Sequence, residues 1–585
     1  MPTLTIDGKS VDFALGQSII EVALANDIEV PHFCWHPSLS VSGNCRMCFV
    51  EIDGMPKLQA SCALPAAEGQ VIHTQSARAV QGREAIMEFL LINHPLDCPI
   101  CDEAGQCKLQ DYAFLHGRRE SRFEEMKNRK EKRVPLGPEV LFDAERCISC
   151  SRCIRFADEI AEQPVLTFTN RGDHVTIETF PGTEFDSPYS MNVIDICPVG
   201  ALTSRDFRFK ARVWDMSFNE SICPGCARGC NVAVGVRDNE ILRLEPRTNM
   251  HVNEFWMCDI GRLTMYPHIN ENRFDGPVIR RGETKIGVSW EEATSEAVTS
   301  LRGLKGSEIA VIASTRATLE ENHALQRFAK EVLGTDHLIA LRHNDPGFAD
   351  TKLRVADRSP NTAGVQSLGI TVADSLEQLM PAITGGKIRA LYILDQDILV
   401  DEALEDALDK MDAVIVHAAN HTPITNHASI IFATSAWAEK QGTYVNIKGV
   451  VQYVDEAVAT RENDARMGMK KSRLDKFGAH NDRWTHGTKR DCKPAWQTLA
   501  TLARLLGKPW KYRWAEDLFE EITEKHADYA EMTYETLEGY HGIELGKGAR
   551  PTPHPREYVP HFYRPQQFRD EELEGQGSPA PVSLR

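Results

Sequence analysis

The rhythm of apolar and polar positions changes along the chain. TLTID-GK-SVDF, near the start, alternates the two classes around Asp7 and Gly8, the pattern of two short strands joined by a tight turn. QSIIEVALAND, residues 17–27, spaces its apolar side chains as a helix does. CFVEIDGMPKLQA, residues 48–60, returns to a strand–turn–strand pattern with a second Asp-Gly pair. Short strands around one helix predict a small β-grasp domain over residues 1–78. ARAVQGREAIMEFLLINH, residues 77–94, predicts an amphipathic helix leading into a segment at 79–118.

Residues 118–133, RRESRFEEMKNRKEKR, carry eight basic and four acidic side chains. A solvated helix or linker is the plain reading of such a run, and a surface for an acidic partner the sharper one. Beyond residue 273 the texture is different. EIAVIAS precedes LEENHALQRFAKEVLG, RALYILD precedes DEALEDALDKM, and DAVIVHA follows. Apolar runs alternating with helical patterns predict a parallel α/β sheet over 273–548. From Arg550 the chain holds seven prolines and little periodicity, so residues 549–585 are expected to be an extended or disordered tail.

At 585 residues the chain is too long for one core. Its formal charge of −18 argues against nucleic acid as a partner. No apolar run approaches the ~18 residues that suggest a membrane span. The start, MPTLTIDGKSVDF, shows neither a signal peptide nor a transit segment, so a cytoplasmic location is expected, with membrane contact only indirect. Sixteen cysteines in a reducing compartment do not read as disulfides. Fifteen of them precede residue 259, and Cys492 stands alone far downstream.

These fifteen fall into sets. Cys34, Cys45, Cys48 and Cys62, spaced C-x10-C-x2-C-x13-C, suit a [2Fe–2S] cluster on the β-grasp segment, with a zinc site as the alternative. Cys147, Cys150 and Cys153, with Cys197 in DICPVGAL, have the C-x2-C-x2-C plus Cys-Pro form of a [4Fe–4S] ferredoxin site, expected over 138–212. Cys223, Cys226, Cys230 and Cys258 make a further complete set of thiolates over 216–272, either another [4Fe–4S] site or a zinc ribbon. Cys98, Cys101 and Cys107 remain, one ligand short. His94 opens an H-x3-C-x2-C-x5-C run and is the candidate fourth ligand, since imidazole can bind cluster iron; otherwise it is a polar bystander. Cys492, in a polar segment, reads as a lone thiol.

The order of these sets, with the phrases NHPLDCPICDEAGQCKLQD, RCISCSRCIRFADEI, NVIDICPVGALTS and RVWDM, resembles the family of the large iron–sulfur subunit of bacterial NADH–quinone oxidoreductase, respiratory complex I. The resemblance covers roughly residues 1–545 and implies one [2Fe–2S] and three [4Fe–4S] clusters, the second held by His94 and three cysteines. It implies an electron relay. Electrons would enter at the [2Fe–2S] centre, pass through the histidine-ligated and ferredoxin-like centres, and leave toward quinone, with the fourth centre off that route. It further implies a hetero-oligomer with a flavin-bearing, NADH-oxidising subunit and other hydrophilic-arm subunits, peripheral on the cytoplasmic face of the inner membrane.

The second half echoes the molybdopterin-oxidoreductase superfamily in GRLTMYPHINENRFDGPVIRRG and in AEKQGTYVNIKGVVQ, residues 438–452. The rival readings are therefore an NAD-linked formate dehydrogenase subunit or a hydrogenase-type complex. The former needs a metal-binding cysteine downstream; residues 333–345, LGTDHLIALRHND, hold none. A truncated, non-catalytic domain without molybdopterin is the expectation. No G-x-G-x-x-G turn or Walker loop is present, so neither NADH nor quinone is expected to bind on this chain. His417, His421 and His427 are read as structural.

Overall fold

The computed structural model describes all residues except 119, 396, 468–486 and 548–585. The expected Pro-rich tail, 549–585, lies outside the described residues. The chain divides into two compact units, Met1–Val213 and one beginning at Trp214.

The first unit opens with a five-stranded mixed sheet. Thr3–Ile6 lies between its hairpin partner Lys9–Asp12 and the parallel strand Val71–His73, which in turn pairs with Phe49–Ile52 and then Gln59–Ala60. Asp7 and Gly8 turn the first hairpin with φ of 48° and 83°, which is why Asp-Gly stands there. The helix Ile19–Ala25 starts at Ser18, whose backbone N–H donates to Glu21. Its face Ile19, Ile20, Val22 and Ala23 packs on the sheet with Leu4, Ile6 and Val50, giving the β-grasp arrangement. The helix Ala77–Ile92 forms where the spacing predicts one but without the expected amphipathic face: it buries Ala79, Arg83 and Met87 and leaves Phe89 exposed.

Among the described residues the basic run at 118–133 forms no helix, and several of its charges find partners inside the unit. Arg122 pairs with Glu88, Lys127 Nζ donates to the carbonyls of Leu91 and Ile92, and Lys132 lies 2.6 Å from Asp97. The segment straps the helix Ala77–Ile92 to the loop that follows it. The carbonyls at a helix C-terminus favour cations, which no count of charges along the chain could reveal.

The second unit begins with a three-stranded antiparallel sheet, Ser217–Ile222, Asn231–Arg237 and Glu240–Pro246. It continues into an eight-stranded sheet. Across that sheet run Thr284–Gly287, Val278–Arg281, Ile430–Ala433, Ala413–Ala418, Ala390–Leu394, Ile309–Ser314, Leu338–Leu341 and Thr371–Ala373. The last six are parallel. Numbered along the chain they lie in the order 6-5-4-1-2-3, a doubly wound sheet whose order reverses between Ile309–Ser314 and Ala390–Leu394. Ile309, Val311 and Ala313 face one core and Ala310 and Ile312 the other, so the strand reads as continuously apolar.

At that reversal the chain fills its own crevice. Lys440 Nζ lies 2.6 Å from Glu321 Oε2, both side chains 1% exposed, and Thr443 donates through its backbone N–H and its hydroxyl to Glu320. His417 is buried in its strand against Tyr392 (2.7 Å), His421 stacks on Phe274, and His427 faces Glu405 and Asp409. Cys492, from a polar stretch, is fully buried beside Ser435 and Glu439. Among the described residues no helix is long and apolar enough to cross a membrane.

Candidate iron–sulfur sites

Site one is built on the loop between the β-grasp helix and the strand Phe49–Ile52. Gly43 and Arg46 take left-handed backbone (φ 61° and 59°), which curls SGNCRMC back on itself. Cys34, Cys48 and Cys62 are buried and Cys45 half-buried; the Cys34 N–H donates to Cys45 Sγ at 3.4 Å. Hydrogen bonding among the thiols pulls Cys34 and Cys48 toward thiolate, Cys48 to about 7, and pushes Cys45 and Cys62 up. The four sulfurs therefore form one mutually sensitive group.

Site three uses the turn before the helix Arg152–Glu159. Ser149 and Ser151 are left-handed (φ 54° and 65°), so the turn reverses twice between cysteines. Cys147, Cys150, Cys153 and Cys197 line one cavity of about 310 Å³, open space included, whose other walls include Phe142, Ile177, Val199 and Leu202. Burial pushes all four thiols up, Cys147 to about 11.

Site four closes the hairpin between Ser217–Ile222 and Asn231–Arg237, where the Cys223 N–H donates to the Cys230 carbonyl at 2.8 Å. Cys258 caps the helix Asp259–Thr264, its sulfur accepting from Gly261 N–H at 3.3 Å. The four cysteines line a cavity of about 370 Å³, open space included, with Gly225, Phe348 and Arg358. Burial pushes these thiols up as well, Cys258 to about 11. A Cβ on Gly261 would lie 3.0 Å from Cys223 Sγ and 3.3 Å from Cys258 Sγ, so glycine leaves the sulfurs in place where a methyl would push on both.

Site two occupies residues 94–107 and is more open. Cys101 and Cys107 are buried, whereas Cys98 stands exposed on the short turn Cys98–Ile100. His94 Nδ1 is buried with no hydrogen-bond partner among the described atoms. Burial, with Lys127 and Arg146 nearby, lowers His94 to about 4, so its imidazole is neutral at neutral pH and keeps a lone pair for a metal. Burial raises Cys101 and Cys107, Arg146 opposing it at Cys101.

Do these residues fit iron–sulfur groups? At sites three and four, where burial holds every thiol toward the neutral form, a metal charge would draw them to thiolates. At each of these sites the four thiols line one cavity, an arrangement that suits a body with several metal corners.

The sites of the first unit are neighbours in space. The site-three tail ICPVG touches site two: Cys107 Sγ lies 3.9 Å from the Pro198 carbonyl, and a Cβ on Gly200 would overlap Cys101 Sγ. The site-three turn touches site one: Asn44 donates to the Ser149 carbonyl at 3.0 Å, and Ser151 to Ser42 at 3.1 Å. Site three therefore touches both of the other sites. Reasoning from spacing passed over Arg146, Arg152 and Arg155. Their only signal is an arginine recurring through RCISCSRCIRF.

Segments of the chain match known families. Residues 1–77 match a 2Fe-2S iron-sulfur cluster binding domain, 83–122 an NADH-ubiquinone oxidoreductase-G iron-sulfur binding region, and 137–203 an NADH-quinone oxidoreductase subunit 3, ferredoxin-like domain. Residues 216–270 match a molybdopterin oxidoreductase Fe4S4 domain and 343–467 the molybdopterin oxidoreductase family. The G subunit of the NADH-quinone oxidoreductase of Rickettsia bellii is 37% identical over 400 residues, 67% of this chain and 57% of that protein. The NADH-ubiquinone oxidoreductase 75 kDa subunit of Reclinomonas americana is 42% identical over 307 residues, 52% of this chain and 44% of that protein. The chain thus spans less than two thirds of the length of either relative. A chain from the crystal structure of an NAD+-reducing [NiFe]-hydrogenase in the H2-reduced state is 33% identical, covering 36% of this chain and 91% of its own, with a TM-score of 0.33. By its iron–sulfur binding regions and these relatives, the chain belongs to the family of the large iron–sulfur subunit of NADH-quinone oxidoreductase.

Proposed function

We propose that this chain is the electron-relay subunit of an NADH-quinone oxidoreductase, complex I, carrying electrons from a flavin subunit toward quinone. The observation that carries this reading is the contiguity of three cysteine sites in one compact unit, site three touching both neighbours. Cys34, Cys45, Cys48 and Cys62 would hold a [2Fe–2S] cluster. His94, Cys98, Cys101 and Cys107 would hold one [4Fe–4S] cluster, and Cys147, Cys150, Cys153 and Cys197 another. Cys223, Cys226, Cys230 and Cys258 would hold the third [4Fe–4S] cluster, with a structural role in the second unit.

Such groups, when bound, take up and release single electrons. The chain's part is to hold them close together and to set their surroundings. The loops of sites one and three hydrogen-bond directly, and the apolar walls of site three keep water from its sulfurs. Segments 1–78, 79–118, 138–212, 216–272 and 273–548 are the functional divisions, the last a scaffold whose crevice is closed by Lys440, Glu321, Glu320 and Thr443. The partners are the flavin-bearing NADH-oxidising subunit and other hydrophilic-arm subunits, on the cytoplasmic face of the inner membrane.

The test is iron and acid-labile sulfide analysis with EPR on the purified full chain. About 14 iron atoms per chain are expected, with no NADH–dye activity in the absence of partners. His94→Ala should alter one [4Fe–4S] signal and spare the remaining three clusters. Zinc without sulfide, or robust NADH oxidation by the chain alone, overturns the proposal. Stoichiometric molybdenum or tungsten would point instead to the formate-dehydrogenase reading.

A further inference from the structure

Arg152 lies inside the C-x2-C-x2-C run of site three and is only 1% exposed. Its Nη1 donates to the Ile196 carbonyl at 2.9 Å and its Nη2 to the Trp35 carbonyl. Ile196 precedes Cys197 and Trp35 follows Cys34, so the guanidinium is gripped between the two halves of site three and the loop of site one. Its Nε is buried with no partner among the described atoms, and no described carboxylate lies within ion-pair distance. A guanidinium does not give up its proton. A cation withdrawn from water is costly unless an anion answers it.

The opposite face of site three is built differently. Arg146, which precedes Cys147, donates to Asp97, which precedes Cys98, at 3.0 Å, and lies 3.4 Å from Asp143. Carboxylates therefore answer the arginine at the site two–site three junction. At the site one–site three junction no described carboxylate answers Arg152, whose fork instead holds the backbone beside Cys197 and Cys34; the carboxylate there, Glu159, accepts from Ser40 of the site-one loop.

We propose that Arg152 is a positioning residue for electron transfer, its buried guanidinium being the fixed counter-charge shared by the Cys34–Cys45–Cys48–Cys62 and Cys147–Cys150–Cys153–Cys197 sites. The inference rests on the iron–sulfur reading above. A fixed positive charge favours the more negative, reduced form of an adjacent group, so Arg152 raises the potentials of both sites together. Arg155, which donates to the carbonyls of Cys34 and Ser40, adds to the same field from a less buried position.

The experiment is an EPR-monitored redox titration of the iron-loaded full chain as wild type, Arg152→Met and Arg152→Lys, with iron counted in each. In Arg152→Met the midpoint potentials of sites one and three fall and that of site two stays. Arg152→Lys, which keeps the charge and loses the fork, holds both potentials near wild type. Unchanged potentials in a fully loaded Arg152→Met, or equal shifts in the Lys and Met variants, overturn the proposal. Should Arg152→Met fail to retain iron, Arg155→Met is measured in its place. It is expected to lower the same two potentials by less, and no shift there is equally fatal. A wild-type chain without iron and sulfide would instead refute the underlying iron–sulfur reading.

Discussion

Glycines against sulfur show how little room the sites leave. At Gly261 an added methyl would lie 3.0 Å from Cys223 Sγ and 3.3 Å from Cys258 Sγ, so both sulfurs would have to move from their places around the cavity. Gly261→Ala is therefore expected to lose the site-four iron, about four atoms per chain, and to leave the EPR signals of the other three sites intact. Full iron content in that variant would show that the sulfurs stand farther apart than this geometry has them. His94 illustrates the reverse case, a residue whose type and spacing made it a candidate. Its burial and neutral state fit a ligand, while the exposed Cys98 beside it shows that site two is walled less completely than the others.

Elements are held by charges as well as by apolar faces. The hairpin Gly442–Val445 and Val450–Val454 is preceded by Lys440, which is buried against Glu321 on the helix Leu319–Arg327. Glu321 also accepts from the Ala495 N–H at 2.8 Å, so one carboxylate ties three segments together. Lys440→Met would strand that carboxylate and is expected to destabilise the second unit by about 3–5 kcal/mol. Adding Glu321→Gln should recover much of the loss, because Gln keeps an acceptor without the charge. Urea unfolding of the single and double variants measures both, and a single variant as stable as wild type would show the pair to be expendable. The strap at 118–133 belongs to the same scale. Its composition suggested a solvated linker, but the cations were needed by the helix end and by Asp97, partners set by packing.

At the scale of the molecule, buried histidines set a pH dependence on the second unit. Burial lowers His268 and His323 to about 4 and His417 to about 3, against 6.5 when exposed. Between pH 6.5 and about 4 the unfolded chain binds more protons than the folded one, so stability is lost as pH falls through that window. For His417, fully enclosed beside Tyr392, the loss is on the order of a few kcal/mol at its acid limit. Melting temperatures between pH 7 and pH 5 should decline in wild type and decline less in His417→Phe; identical slopes would show that this histidine does not govern the effect.

Much was legible in the sequence alone because turns are local. The C-x2-C spacings marked thiols that stand near one another, since a few intervening residues cannot carry a sulfur far. Asp7-Gly8 marked a hairpin for the same reason, and the alternating apolar runs after residue 273 determined a parallel α/β sheet. Tertiary structure alone decided which sites are neighbours, that Lys440 and Glu321 close the crevice, and that Arg152 is buried without a carboxylate. The contacts that decide them join residues up to 119 positions apart, as Lys440 and Glu321 are. Local propensity is silent over such distances, and only the packing of whole elements chooses among the alternatives.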